Sequence, residues 1–160
     1  SQSSLFAKQL GDYLPVYPVK GYSITLPIMD FSKAPTHGGI DEDNLLAFSL
    51  IGSFIRFTSV AEIAGYDTSH KPADFSHILE LACSLFPEAF DFSNIQYWAG
   101  LRPMTPKGSP IFGRGKMSNL YYNTGHGHLG WTMACGSAKI SADLIENIKP
   151  AISLEGMAVN

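Results

Sequence analysis

The sequence is poor in the features that mark several large protein classes. Only two cysteines occur among its 160 residues, Cys83 and Cys135. They fit no metal or redox spacing and read as buried or free thiols of a reducing compartment. Charged residues make up 16% of the chain and the net charge is −3. No basic run exists to neutralise a phosphate backbone, which argues against nucleic acid as a partner. No apolar run approaches the roughly 20 residues of a membrane span, so no transmembrane segment is expected. No stretch reads as a signal peptide. There is no Walker motif, no G-x-S-x-G and no G-x-G-x-x-G dinucleotide fingerprint. Gly125-His126-Gly127 superficially resembles the last of these, but no βαβ unit with its acidic residue follows. Neither an internal repeat nor a low-complexity segment is present.

What is there is a globular composition, 45% hydrophobic and 12% aromatic, long enough for one domain with a real core. Few charges beside many aromatics imply that some surface is normally covered by protein. Residues 1–4 are polar and lead at once into an amphipathic run, Leu5-Phe6 to Leu10. That start is expected of a chain entered within a larger architecture, or of a trimmed tag.

Periodicity sketches the elements. Residues 3–10 read as a short helix ending at Gly11. Tyr22, Ile24, Leu26 and Ile28 alternate with Ser23, Thr25 and Pro27, a strand with one polar face. Residues 29–39 read as a loop and residues 41–44 as a turn. Leu45–Leu50 and Phe54–Ile63 read as a hairpin joined at Gly52-Ser53. Phe75, Ile78, Leu79, Ala82 and Leu85 recur at helical spacing, predicting a helix over about 73–86. Residues 92–101 read as a strand, 102–117 as a loop or hairpin turning at 106–108, and 120–123 as a short strand. A second helix is predicted over about 129–147, and the tail after Pro150 has no pattern. The fold class is α+β: an antiparallel sheet with a packed helix, closed by a strand–turn–helix unit.

Two neighbouring features carry chemistry. Arg102 offers a planar fork that matches the two oxygens of a carboxylate and cannot lose its proton. Pro103 holds the Arg102 backbone extended, which helps aim the side chain. A surface ion pair is an equally plain use of one arginine. The second feature is the turn Thr124–Gly130, with glycines at 125, 127 and 130. Glycine permits positive φ and close approach of a ligand to the backbone. A helix follows, and a helix N-terminus presents free N–H groups to an anion. The negative N1–C2=O edge of a reduced flavin would suit it; a plain tight turn is the commoner use of such glycines. Small residues follow at Ala134, Gly136, Ser137, Ala138, Ser141 and Ala142, apt for close packing against a sheet or a cofactor.

His126 and His128 lack the further ligands that zinc requires, so no metal is expected. Tyr17, Tyr22 and Trp98 sit on strands as core or pocket aromatics. Tyr22, beside Lys20-Gly21, is the pocket candidate. Glu62 and Asp67 read as solvated rather than catalytic.

Four ordered motifs now resemble a known family. Residues 98–113 and 119–145 resemble the C-terminal part of the bacterial D-amino-acid dehydrogenases, within the wider FAD-dependent D-amino-acid oxidase and glycine oxidase group. Residues 15–23 and 61–67 resemble the same proteins in the same order. Lys107 and Ala138 depart from the family's usual Asp and Gly. The resemblance covers nearly the whole chain. It implies a fragment of a flavoenzyme whose missing N-terminal part carries the FAD-binding fingerprint. Residues 1–101 would be the β-rich substrate domain, with 1–12 as a lead-in helix. Residues 102–150 would return to the FAD-binding domain, and 151–160 would be a tail.

The resemblance further implies that Arg102 pairs with the substrate carboxylate. The backbone of Gly125, His126, Gly127, His128, Leu129, Gly130, Trp131 and Thr132 would contact FAD. The whole enzyme would oxidise a D-amino acid to an oxo acid and ammonia and pass electrons to a respiratory acceptor. It would be cytoplasmic, or peripheral at the inner membrane when full length. Two other functions stay open: a glycine- or sarcosine-type amine oxidase fragment, and, for the chain in isolation, a non-catalytic module binding a small acid or a partner.

Overall fold

Tyr22, Ile24 and Leu26 alternate with Ser23 and Thr25, and a period of two puts the apolar set on one face of a pleated strand. In the computed structural model, which describes residues 1–159, this strand is β1, Tyr17–Pro27. It belongs to a five-stranded sheet with β2 (Gly39–Asp41), β3 (Leu46–Ile51), β4 (Phe54–Glu62) and β5 (Gln96–Met104), in the order β2-β3-β4-β1-β5. The pairs β1–β4, β2–β3 and β3–β4 are antiparallel. Gly52 takes φ +60° between β3 and β4, the positive φ that a two-residue hairpin loop demands.

Contacts divide the chain into two compact units: residues 20–100, and residues 1–19 together with 101–160. The first nineteen residues thus count with the C-terminal stretch and not with the β-rich one.

In unit 20–100 the helix expected over 73–86 is a 3-10 turn, Pro72–Phe75, running into α2, Ser76–Leu85. (The lead-in helix of residues 3–9, described below, is α1.) Phe75, Ile78 and Ala82 face inward and are fully buried. They meet Tyr22, Ile24, Leu26, Leu46, Ile55 and Phe57 in one core. Phe57 is its centre, with ring centroids of Phe48, Phe86 and Phe90 at 5.8, 6.3 and 5.7 Å, the spacing of favourable tilted and edge-on aromatic pairs.

Two differences from the sequence reading arise here. The loop 29–39 ends in β2, where a Cβ on Gly39 would stand 2.7 Å from Phe48 Cζ. Glycine at that position lets the aromatic ring lie across the strand. The strand expected from Phe92 begins only at Gln96. Asp91 accepts hydrogen bonds from Ser93 N at 2.9 Å and Ser93 Oγ at 2.5 Å. Such a side-chain turn competes with strand geometry and delays it.

The other unit opens with α1, Ser3–Gln9, which ends at Gly11 with φ +80°, a left-handed helix stop. Strands β6 (Ile111–Arg114) and β7 (Tyr121–Thr124) form an antiparallel pair, and α3, Ala134–Ile145, packs against both. Ala7, Leu14, Val16, Ile111 and Tyr122 make a small second core. Beside it Asp12, 8% exposed, accepts Tyr122 Oη–H at 2.9 Å and the Lys116 amide at 3.1 Å. Tyr122 is held protonated above its ordinary range, first by burial and then by the Asp12 carboxylate. The tail also docks. Phe112 N donates to Met157 O at 2.7 Å, Val159 N donates to Phe112 O at 3.2 Å, and Val159 packs on the second core.

Each unit therefore has its own weak point. Phe57→Ala is expected to lose about 3–5 kcal/mol in unit 20–100 through cavity formation. Asp12→Ala is expected to lose about 1–3 kcal/mol in the other unit by stranding buried donors. Urea unfolding measures both, and a loss below about 1 kcal/mol for Phe57→Ala would contradict the packing just described.

Candidate functional site

Arg102 lies in β5, whereas residues 102–117 read as a loop or hairpin from sequence. The strand continues through Pro103 because β5 is an edge strand, and proline can omit a ladder hydrogen bond only at an edge. Arg102 is half-buried, and burial pushes the pKa of its guanidinium down from its usual value. An arginine so placed still keeps its charge.

The glycine turn is bonded to the same strand. Gly127 N–H donates to Pro103 O at 2.9 Å, one residue from Arg102. Gly125 and Gly127 take φ +78° and +58°, a region that side chains with a Cβ rarely enter. Space is short as well: a Cβ on Gly125 would stand 2.6 Å from Thr105 Cγ2, and one on Gly127 3.0 Å from Met104 Sδ. Between the two, His126 sends its ring inward. Its Nε2 lies 3.0 Å from Ser137 Oγ, and its ring stands edge-on to Phe112 at 5.8 Å. Burial depresses the His126 pKa, which favours the neutral imidazole.

The second helix starts later than its sequence pattern predicts. Helix α3 begins at Ala134, not near Leu129. Residues 127–133 run through turns closed by Leu129 N to His126 O at 3.1 Å and Met133 N to Leu129 O at 3.0 Å. Met133, at the N-cap, supplies no side-chain acceptor, so nothing draws the helix back toward the glycines. The delay changes which amides are available. Those of Gly127 and Leu129 are engaged within the protein. Among the described residues, the amides of His128, Gly130, Trp131 and Thr132 make no hydrogen bond. His128, Leu129 and Thr132 are exposed, and Trp131 is 95% exposed.

Tyr22 belongs to unit 20–100. It lines a cleft of about 590 Å³ with Lys20, Val60, Glu62, Ser69, His70, Lys71 and Asp74. Two of these were missed or misread in the sequence. Lys20 is 3% exposed, and its Nζ bonds Ser69 O at 2.5 Å and lies 3.7 Å from Glu62. Glu62, expected to be merely solvated, accepts the Tyr22 hydroxyl. The hydrogen bond to Glu62 raises the Tyr22 pKa, and the hydrogen bond to Tyr22 raises that of Lys20.

A β-bulge produces this group. Tyr22 pairs with Ser59 but Lys20 pairs with Glu62, so Val60 and Ala61 stand opposite Gly21 alone. Val60 adopts φ +66°. Holding a β-branched residue there costs on the order of 1–3 kcal/mol, and its effect is to turn Glu62 onto the face of Lys20 and Tyr22. Alternation alone would have put Ala61 there, which is why the sequence hid the role of Glu62. Asp67 accepts from Ser69 N and Oγ at 2.8 and 2.9 Å and so shapes the loop that meets Lys20. Among the described residues no three His, Cys, Asp or Glu side chains group to hold a metal ion.

A family model described as FAD dependent oxidoreductase matches residues 1–144. The D-amino acid dehydrogenase 2 of Mesorhizobium japonicum is 51% identical over 156 residues, covering 98% of this chain and 38% of that protein. The D-amino acid dehydrogenase of Rhizorhabdus wittichii is 48% identical over 160 residues, covering 100% of this chain and 38% of that protein. This chain thus spans well under half the length of these relatives. Among solved structures, glycine oxidase from Geobacillus kaustophilus superposes with a TM-score of 0.83 at 20% identity, over 96% of this chain and 41% of that one. Iminodiacetate oxidase from Chelativorans sp. BNC1 gives 0.82 at 20% identity, over 99% and 43%. At that identity the likeness is one of fold.

The residues present fit a flavin. A run of unengaged amides at Gly130–Thr132 offers donors to an electron-rich ring edge, and the bare backbone of the glycine turn permits close approach.

The turn makes two predictions. Gly125→Ala is expected to destabilise the protein by about 1–3 kcal/mol through strain and crowding. Gly136→Ala, in α3 where a Cβ meets nothing within 4 Å, is expected to stabilise by about 0.5–1 kcal/mol. Thermal unfolding of the two variants distinguishes them by sign. The depressed His126 pKa sets a pH dependence. Its stabilising contribution is complete above the unfolded value of about 6.5 and is lost as pH falls through the lower folded value. Unfolding free energy measured across this window should fall toward acid, and His126→Gln should flatten the slope.

Proposed function

The chain belongs to the FAD dependent oxidoreductase family, and on that premise we propose that it is the part of a D-amino-acid dehydrogenase that grips the substrate carboxylate and lines the flavin. The observation that carries this reading is the hydrogen bond from Gly127 N to Pro103 O. It couples the carboxylate-binding arginine to the flavin-facing turn through one residue. The names of the relatives support the substrate class, D-amino acids. The remainder of a longer protein would supply the dinucleotide-binding part, and the electrons would pass on to a respiratory acceptor.

Arg102 takes both carboxylate oxygens in its fork and so fixes where the substrate Cα points. Pro103 and the edge-strand backbone keep the arginine extended. The amides of Gly130, Trp131 and Thr132 would hold the electron-rich edge of the flavin ring. FAD, when bound, would supply the acceptor for the hydride of Cα. As that C–H pair leaves, the amine lone pair forms the C=N bond, and water then converts the imino acid to an oxo acid and ammonia. A neutral amine needs no side-chain base for this, in keeping with a site built on orientation. Tyr22 lines the cleft within unit 20–100. No helix among the described residues is long and apolar enough to cross a membrane.

The test is steady-state turnover of the full-length enzyme with D-alanine and with sarcosine. Arg102→Ala is expected to lower kcat/KM for D-alanine by about 100-fold, the scale of truncating one partner of a buried charge pair. Unchanged turnover would remove Arg102 from the site. Faster turnover of sarcosine than of D-alanine in the unaltered enzyme would reassign it to secondary amines.

A further inference from the structure

The turn that lines the proposed flavin site has glycine on both sides of His126. Glycine is the most permissive backbone residue, so beyond the Gly127–Pro103 bond the backbone alone leaves the turn loosely directed. The imidazole supplies the missing constraint. It is held from α3 by Ser137, whose hydroxyl lies 3.0 Å from Nε2. It is held from β6 by the edge contact with Phe112, itself 2% exposed. Ser137 is 6% exposed. Ser137 is placed by the backbone of α3, its amide donating to Met133 O at 2.9 Å, and its carbonyl also accepts Asn123 Nδ2 at 3.3 Å and Ser141 Oγ at 2.9 Å. Among the described residues the hydroxyl has no acceptor other than His126. Ser137 Oγ and His126 Nε2 therefore share one hydrogen bond, whose direction follows the imidazole tautomer.

We propose that Ser137 is a positioning residue: through its hydrogen bond to His126 it pegs the glycine turn to α3, and so sets the direction of the amides from His128 to Thr132. This rests on the reading of that turn as the flavin-facing element. Ser137 does not reach the cofactor or the substrate in this account; it acts through His126. Ordering a turn before the ligand arrives removes the entropy that binding would otherwise have to overcome.

The experiment uses the full-length protein with Ser137→Ala, Ser137→Thr and Asn123→Ala, prepared without FAD and then titrated with it. Without FAD, amide exchange at Gly127 and Leu129 should quicken roughly fivefold in Ser137→Ala, the worth of one hydrogen bond. The ¹⁵N signals of His126 should shift in the same variant, because Nε2 loses its hydrogen-bond partner. Ser137→Thr, which keeps the hydroxyl, should restore both. Asn123→Ala removes a different bond to the Ser137 carbonyl and should leave the His126 signals in place. On titration, FAD affinity should fall in Ser137→Ala and recover in Ser137→Thr. Unchanged exchange and unchanged His126 signals in Ser137→Ala would overturn the peg. Quickened exchange with unaltered FAD affinity would leave the peg standing and overturn the flavin-facing reading of the turn.

Discussion

The bond from Gly127 N–H to the Pro103 carbonyl ties together the two candidate elements of the C-terminal unit. It joins an edge strand carrying Arg102 to the turn that contains Gly125, His126 and Gly127. Its formation has strict requirements. Gly127 must enter the left-handed region, Gly125 must pass within van der Waals contact of Thr105, and Pro103 must lie in a strand that tolerates a missing donor. Each follows from backbone sterics, not from side-chain chemistry. The bond also removes the Gly127 amide from the set open to a ligand. The available donors thereby move to Gly130–Thr132.

The two units solve the problem of stability differently. Unit 20–100 buries aromatic rings around Phe57. The other unit has a smaller core and relies on a buried carboxylate, Asp12, to hold segments more than one hundred residues apart in sequence. A buried acid is useful there because its acceptor capacity satisfies several donors from separate segments at once. The docked tail adds backbone bonds to Phe112, the residue whose ring also touches His126. Support for the turn and support for the small core therefore share one strand.

The cleft around Lys20 presents a different economy. A left-handed valine is an unfavourable backbone state, and here its consequence is a change of face for Glu62. Without the extra residue Lys20 would face Ala61, and a buried ammonium would lack its nearest counter-charge. The strain at Val60 and the burial of Lys20 are two sides of one arrangement.

The sequence by itself determined the elements whose periodicity is strong and whose stops are chemical: β1, the β3–β4 hairpin at Gly52, α2, and α1 ending at Gly11. It also marked Arg102, Pro103 and the glycines of the turn as candidates, because a guanidinium fork, a fixed proline φ and a bare glycine backbone are properties of the residues themselves. The tertiary structure decided the rest. Arg102 sits in a strand and not a loop because β5 became an edge. Helix α3 begins at Ala134 because the residues after the glycines close local turns first. Glu62 joined Tyr22 and Lys20 because of a register jump between β1 and β4. The tail docked because β6 left a free edge beside it. Edge position, register and bond partners are properties of pairing between distant segments, and such pairing leaves no mark in a window of local sequence.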